Sequence, residues 1–331
     1  MQPHGNNVNS NANSHFSGLL AMNFRALPLF GALSIAAGSC TSSATDVPSG
    51  GTTSTLLTDA PFPYDRVARV DLFVVSVSAS LNPDTSSTAP GSFFTLATPN
   101  RRINVLSLQN GITDELGKSN LPAGAITAVR MVIDTDSSSI TLKSGAVLTG
   151  RSTPGIQWQS SAGRPTLNAL IHEQIRVPNT GAIVIVDFDV GKAFIPPQEI
   201  NPASNDSGFI FSPVIRAADA TRTGSITGVV RARSTSGAAV ADASLRLYLG
   251  NPLQPENTWS ALSTTKSDAN GAFKFSYVTR SAFWAATPAQ AASTYIVAVD
   301  PPASTGLGRE LMPNLTVTAG SETAVGTVVL P

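Results

Sequence analysis

From Thr55 to the C-terminus, no stretch longer than a turn or two repeats its apolar residues with the helical period of 3.6. Short runs rich in Val, Ile, Phe and Thr are instead cut at close intervals by Pro, Gly, Asn and Asp clusters, the residues that end strands and form turns. Such a chain must bury its apolar side chains between sheets, so the expected class is all-β. Strands are expected near Thr55–Thr58, Arg66–Leu81, Phe93–Ala97, Ile126–Ile133, Ser139–Leu142, Leu170–Val177, Ala182–Val190 and Phe209–Ala217. Brief helical turns are expected at Asn104–Leu108 and Thr113–Leu116, between Gly and Pro stops.

A second strand set follows Thr223. Gly224–Val230, Ala243–Leu249, Leu262–Lys266, Phe273–Tyr277, Tyr295–Val299 and Thr323–Leu330 alternate as strands, and Asn270-Gly271 before an aromatic run signals a hairpin. The Ala-rich Phe283–Ala292 is expected to form a short helix on a loop. The segment Ala217–Arg222 breaks the apolar alternation. The architecture expected is therefore two β-sandwich domains in tandem, residues 55–220 and 221–331.

Residues 1–39 read as a signal peptide, with Arg25 followed by the apolar Ala26–Ala37 and small residues up to Cys40. Met22 makes the more compact start. The apolar run is too short for a membrane-spanning helix. Cys40 is the single cysteine of the chain, so it has no intramolecular disulfide partner. Ala37-Gly38-Ser39-Cys40 resembles a bacterial lipoprotein lipobox, with Ala37 where those motifs usually carry Leu. The resemblance implies acylation of Cys40, and burial of acyl chains at about 0.8 kcal/mol per CH₂ would anchor the protein through membrane lipid. Residues 40–54 read as a flexible tether after that cysteine.

Other motifs carry further resemblances. Residues 55–217 resemble the bacterial DUF4382 family through Leu57-Thr58-Asp59-Ala60-Pro61, Ile103-Asn104-Val105-Leu106, Leu121-Pro122-Ala123-Gly124, Val186-Asp187-Phe188-Asp189-Val190 and Pro213-Val214-Ile215-Arg216. Residues 224–331 are similar to the carboxypeptidase regulatory-like, transthyretin-type β-sandwich through Gly224–Val230, Ser267–Phe275 and Tyr295–Val299. Neither resemblance implies a catalytic residue.

The chemistry available is sparse. The 21 basic and 21 acidic residues cancel, which argues against nucleic acid as a partner. His172 is the only histidine after the signal peptide, so no triad or multi-histidine zinc site can be assembled within one chain. In a continuous strand, His172 would share a polar face with Gln174 and Arg176 while Glu173 lies on the other. Asp187 and Asp189, two apart in a strand, would share a face and could begin a Ca²⁺ site; the competing reading makes them turn caps or partners of Arg130 or Arg216. Apart from that ion no cofactor is expected. Trp158, Trp259 and Trp284 all lie outside the expected core strands and are candidate stacking platforms for a glycan.

The expectation is a non-enzymatic, membrane-anchored lipoprotein of the cell envelope, on the outer membrane with a periplasmic or surface face. It would present its β domains to a ligand or an envelope protein. Two alternatives stay open: a surface carbohydrate-binding or calcium-dependent adhesion protein, and a hydrolase built on Asp187, Asp189 or Glu173.

Overall fold

The computed structural model describes residues 50–59, 66–82, 92–159, 163–201, 203–204, 207–233, 237–286 and 292–331. The segment expected to be a signal peptide, Cys40 and the expected tether up to residue 49 lie outside the described residues. The protein is all-β, as expected. Asp46–Pro331 is one compact unit, and it holds two separate large hydrophobic cores, one drawn from Leu57 to Ala217 and one from Ile226 to Leu330.

The first core lies between a five-stranded and a six-stranded sheet. In the five-stranded sheet the order is Leu170–Ile171, Ile215–Asp219, Ala182–Phe188, Gly51–Asp59 and Asp114–Leu121. Alternation sends Thr53, Thr55 and Leu57, with Val184, Val186 and Phe188, to the core face. The strand begins at Gly51, so the last residues of the expected tether are sheet. Gly51 lies against Gly181, where an added Cβ would come within 2.0 Å of the Gly181 nitrogen. Gly181 itself sits at φ +93°, and this close approach lets the two strands run parallel from their first residues.

Val67–Ser80 and Ala128–Leu142 form the backbone of the other sheet. The two strands expected at Ile126–Ile133 and Ser139–Leu142 are one here, continued across a register shift at Asp134–Ser139. Ser138 bridges the irregularity: its hydroxyl donates to the Asp134 carbonyl at 2.6 Å and accepts from the Phe73 amide at 3.0 Å. Hydroxyl side chains can replace ladder bonds in this way. The turn expected at Asn104–Leu108 is a 3₁₀ segment, Val105–Gly111. Thr113–Leu116, expected as a second turn, instead belongs to the strand Asp114–Leu121, because pairing with Gly51–Asp59 buries Leu116 and Leu121 and outweighs the local apolar spacing.

In the second core, a three-stranded sheet (Ala272–Thr279, Thr223–Ala232, Glu322–Leu330) faces a four-stranded one (Ser260–Lys266, Ser244–Gly250, Thr294–Asp300, Glu310–Leu315). The expected hairpin is present. Asp268 accepts from the Asn270 and Ala272 amides at 2.8 Å, and Gly271 takes φ +77°. The strand Glu310–Leu315 is not among the expected strands; it carries Pro313 and lies at a sheet edge, where a missing N–H is tolerated. The short helix is Ser281–Ala285, two residues earlier than expected.

Phe188 is fully buried in the first core. Phe188→Ala is expected to lower unfolding stability by about 3–5 kcal/mol, read as a reduced denaturant midpoint at unchanged slope.

Candidate functional site

The chemically capable side chains converge where the two sandwiches meet. Ile215–Asp219, a strand of the first, passes through a single 3₁₀ turn, Ala220–Arg222, into Thr223–Ala232 of the second. That turn is held at both ends. Asp219 accepts from the Thr221 amide at 2.9 Å and hydroxyl at 2.7 Å, and the Thr223 hydroxyl donates to the Ala220 carbonyl at 3.0 Å.

Because Val184, Val186 and Phe188 fill the first core, alternation directs Ile185 and Asp187 to the opposite face of the sheet. Ile185 is nevertheless 1% exposed, because the second sandwich covers that face. Asp187 stands directly across from Arg216 in the antiparallel ladder, and the two side chains form an ion pair. The second guanidinium nitrogen of Arg216 crosses the seam and donates to the Leu262 carbonyl at 2.6 Å.

The strand expected at Leu170–Val177 is broken. Leu170–Ile171 runs parallel to Ile215–Asp219, whereas Ile175–Val177 pairs with Gly124–Ile126. The bend over His172–Gln174 removes the alternation that would have put His172 and Glu173 on opposite faces, and both line the seam. The His172 ring meets Trp284 edge-to-face at 5.2 Å. Glu173 accepts from Arg280 at 2.6 and 3.1 Å and from Arg222 in the joining turn.

Tyr277 completes the contact. It takes φ +53° where Ser276 and Tyr277 oppose the single residue Ser225 between the Gly224–Val278 and Ile226–Phe275 pairs. Such a bulge re-aims a side chain. Here the phenol donates a long hydrogen bond, 3.4 Å, to the Gly111 carbonyl of the first sandwich. Gly111, at φ +85°, leaves no room for a side chain, since a Cβ would lie 2.4 Å from the Ser276 hydroxyl.

Between these groups is a cavity of about 40 Å³, lined among others by His172, Asp187, Arg216, Leu262, Tyr277 and Trp284. That is room for water molecules, which need roughly 10–15 Å³ each by this measure, and far below the roughly 300 Å³ at which small-molecule sites begin. Burial, with Arg216 close by, holds the His172 pKa below its ordinary value, so the ring is uncharged at neutral pH. Burial also pushes the Asp187 carboxyl up, with Arg216 pulling it back and Asp189 adding to the rise. At Glu173, burial is outweighed by Arg280 and Arg222 together, and its pKa is lowered.

The sequence-derived candidates take other positions. The strand ends at Phe188, so the alternation expected to pair Asp187 with Asp189 stops short. Asp189 caps the helical turn Val190–Ala193, accepting from the Lys192 amide at 3.1 Å and pairing with the Lys192 ammonium at 3.3 Å. Among the described residues, no group of three or more His, Cys, Asp or Glu side chains could hold a metal ion. Trp284 is a core residue rather than a platform, 6% exposed, with its indole N–H donating to the Tyr295 hydroxyl at 2.6 Å. Trp259 is half-buried, folded back on Tyr248 and donating to the Asn251 carbonyl at 3.0 Å. Trp158 is half-buried against Phe211 at 4.7 Å and Phe194 at 6.0 Å. Arg222, Arg280 and Tyr277 escaped the sequence reading. The Ser276–Tyr277 bulge has no sequence signature, and the arginines matter through a partner more than a hundred residues away in one case.

Two expectations follow. Asp187→Asn leaves the Arg216 charge buried without its counter-ion and should cost about 3 kcal/mol, whereas Asp189→Asn should cost under about 1 kcal/mol, because Asn caps a helix as well as Asp. Chelator should leave the wild-type melting temperature unchanged; a calcium-dependent rise in the wild type lost in Asp187→Asn would instead support the calcium site. The second concerns acid. A lowered pKa means that ionised Glu173 contributes its full stabilisation above about pH 4.5, its ordinary value, and loses it as the pH falls further. Stability measured down to pH 3 should therefore fall less steeply in Glu173→Gln.

Among the described residues no helix is long and apolar enough to cross a membrane. No curated protein matches the chain. Among solved structures, the Bacillus anthracis TIE protein aligns at 8% identity and TM-score 0.22 over 85% of this chain and 34% of its own. The minor pilin of Streptococcus agalactiae aligns at 10% identity and TM-score 0.21 over 84% of this chain and 95% of its own. A 9R-lipoxygenase from Cyanothece aligns at 15% identity and TM-score 0.21 over 34% of this chain and 17% of its own. This chain thus spans about a sixth of that lipoxygenase and a third of the TIE protein. Residues 50–213, which hold the strands of the first sandwich up to Phe209–Phe211 and stop short of Ile215–Asp219, match the family described as domain of unknown function DUF4382.

Proposed function

We propose that the protein is a non-enzymatic lipoprotein of the cell envelope, held to membrane lipid through an acylated Cys40, whose two sandwiches form a binding or scaffolding arm for an envelope component. The observation that carries this reading is the use made of the reactive side chains. His172, Glu173 and Arg216 are committed to contacts across the seam, and Asp187 to Arg216, around a cavity of about 40 Å³. A general base needs its proton-accepting atom within hydrogen-bond reach of a substrate, and a space of that size admits none.

A carbohydrate-binding reading is favoured by one feature. Trp158 borders an open hollow of about 680 Å³ with Gly150, Ser152, Thr153, Gln157 and Ser207, a size that suits a small ligand.

Cells fed labelled palmitate should label the wild-type protein and not Cys40→Ala; an unlabelled, soluble wild type would remove the anchor from the proposal. The full chain with Cys40→Ser is then applied to a glycan array. Binding lost in Trp158→Ala would establish the carbohydrate reading, and a blank array would leave the envelope-component role.

A further inference from the structure

We propose that Glu173 is a clasp that fixes the two sandwiches in one orientation, so that they act as a single rigid arm. The proposal is independent of lipidation and of any ligand. It rests on three elements that meet at one carboxylate. Glu173 comes from the bend in the first sandwich, Arg222 from the joining turn, and Arg280 from the segment between the strand Ala272–Thr279 and the helix Ser281–Ala285 of the second. The backbone repeats the connection, with the Arg280 amide donating to the Arg222 carbonyl at 3.3 Å.

A three-residue turn limits how far two domains can separate but leaves their relative rotation to the torsions within it. Apolar packing alone would tolerate several such rotations, because it has no direction. A carboxylate that accepts both Nε–H and Nη–H from Arg280 is directional. Two further polar seam contacts, Arg216 to the Leu262 carbonyl and Tyr277 to the Gly111 carbonyl, end on backbone oxygens. Glu173 is the side chain that collects both the turn and the second sandwich. His172, Asp187, Arg216, Asp219 and Tyr277 line the same seam, and Asp187 and Asp219 are already engaged by Arg216 and by Thr221.

The burial of the partners is uneven, and this determines how the clasp fails. The Glu173 side chain is 10% exposed, whereas Arg222 and Arg280 are 33% and 34% exposed. Without the carboxylate charge, two guanidinium groups face each other with no negative charge between them. Both can swing into water, and neither belongs to a hydrophobic core. Loss of Glu173 should therefore open the seam and leave each core intact.

The test uses the full chain with Cys40→Ser, by small-angle X-ray scattering and calorimetry. The parent should scatter as one rigid particle and unfold in one transition. Glu173→Gln should raise the radius of gyration, broaden the distance distribution and split unfolding into two transitions. Arg280→Met should do the same, and the double variant should open no further than the more open single one, because both remove one interaction. Glu256→Gln, which breaks the pair with Arg309 inside the second sandwich, should keep the parent profile. Parent-like scattering and a single transition in both Glu173→Gln and Arg280→Met would overturn the proposal, as would equal opening in Glu256→Gln. Should Glu173→Gln fail to fold, Arg280→Met decides by the same two readouts.

Discussion

Arg216 is the charge on which the arrangement of this molecule depends. Its guanidinium is largely buried between the sandwiches, with a side chain 19% exposed, and a buried cation is tolerable only where its hydrogen-bonding capacity is met. Asp187 and the Leu262 carbonyl meet it, one from each sandwich. The position of Asp187 is inherited from sheet register. Asp187 stands opposite Arg216 because Phe188 stands opposite Ile215 and Val186 opposite Ala217. A slip of one residue would drive the carboxylate into the first core and Phe188 out of it, so the apolar pattern that fills the core also fixes the charge at the seam.

The seam also solves a problem common to small open sheets. Ser260–Lys266 and Ala272–Thr279 are edge strands of the two sheets of the second sandwich, and unpaired edges invite association with other chains. Both contribute to the seam, where Leu262 presents its carbonyl to Arg216 and the Ser276–Tyr277 bulge turns the second edge toward Gly111. The outer face of the five-stranded sheet and the edges of the second sandwich thereby cover each other. A hydrophobic contact of similar area could bury the same surfaces. The polar contacts add direction.

Much of this fold is legible in the sequence. Periodicity located nearly every long strand, because a two-residue alternation between core and solvent leaves a direct trace in runs such as Val184–Phe188 and Leu245–Leu249. The Asn270-Gly271 hairpin was equally readable, since its turn geometry demands those residue types. The errors share a cause. Ser139–Leu142 continues the strand before it because the hydroxyl of Ser138 stands in for ladder bonds, Thr113–Leu116 is held in a strand by its pairing with Gly51–Asp59, and Pro313 is harmless because its strand lies at an edge. The candidate site was less legible still. His172 and Glu173 reach one seam because the chain bends between two short strands that pair with different partners, and no local pattern encodes those partners. Asp187 carried a local signal, but the choice between ion and arginine depended on a strand 29 residues away.

The same seam shows why perturbed titration alone does not identify an active site. His172, Glu173 and Asp187 are all displaced from their ordinary pKa values, and such displacements cluster in catalytic centres but also in structural ion-pair networks. The directions separate the two cases. A general acid–base pair needs groups pushed toward the working pH and an open approach to a substrate. Glu173 is pushed the other way and committed to two arginines. His172 is moved down by burial against an indole. Asp187 alone moves toward neutrality, and the guanidinium that would have to yield to a substrate is one of those that join the sandwiches. Displacing Arg216 to free that carboxylate would strand a buried charge and break the bond to Leu262, so any chemistry at Asp187 would have to be bought with the seam itself.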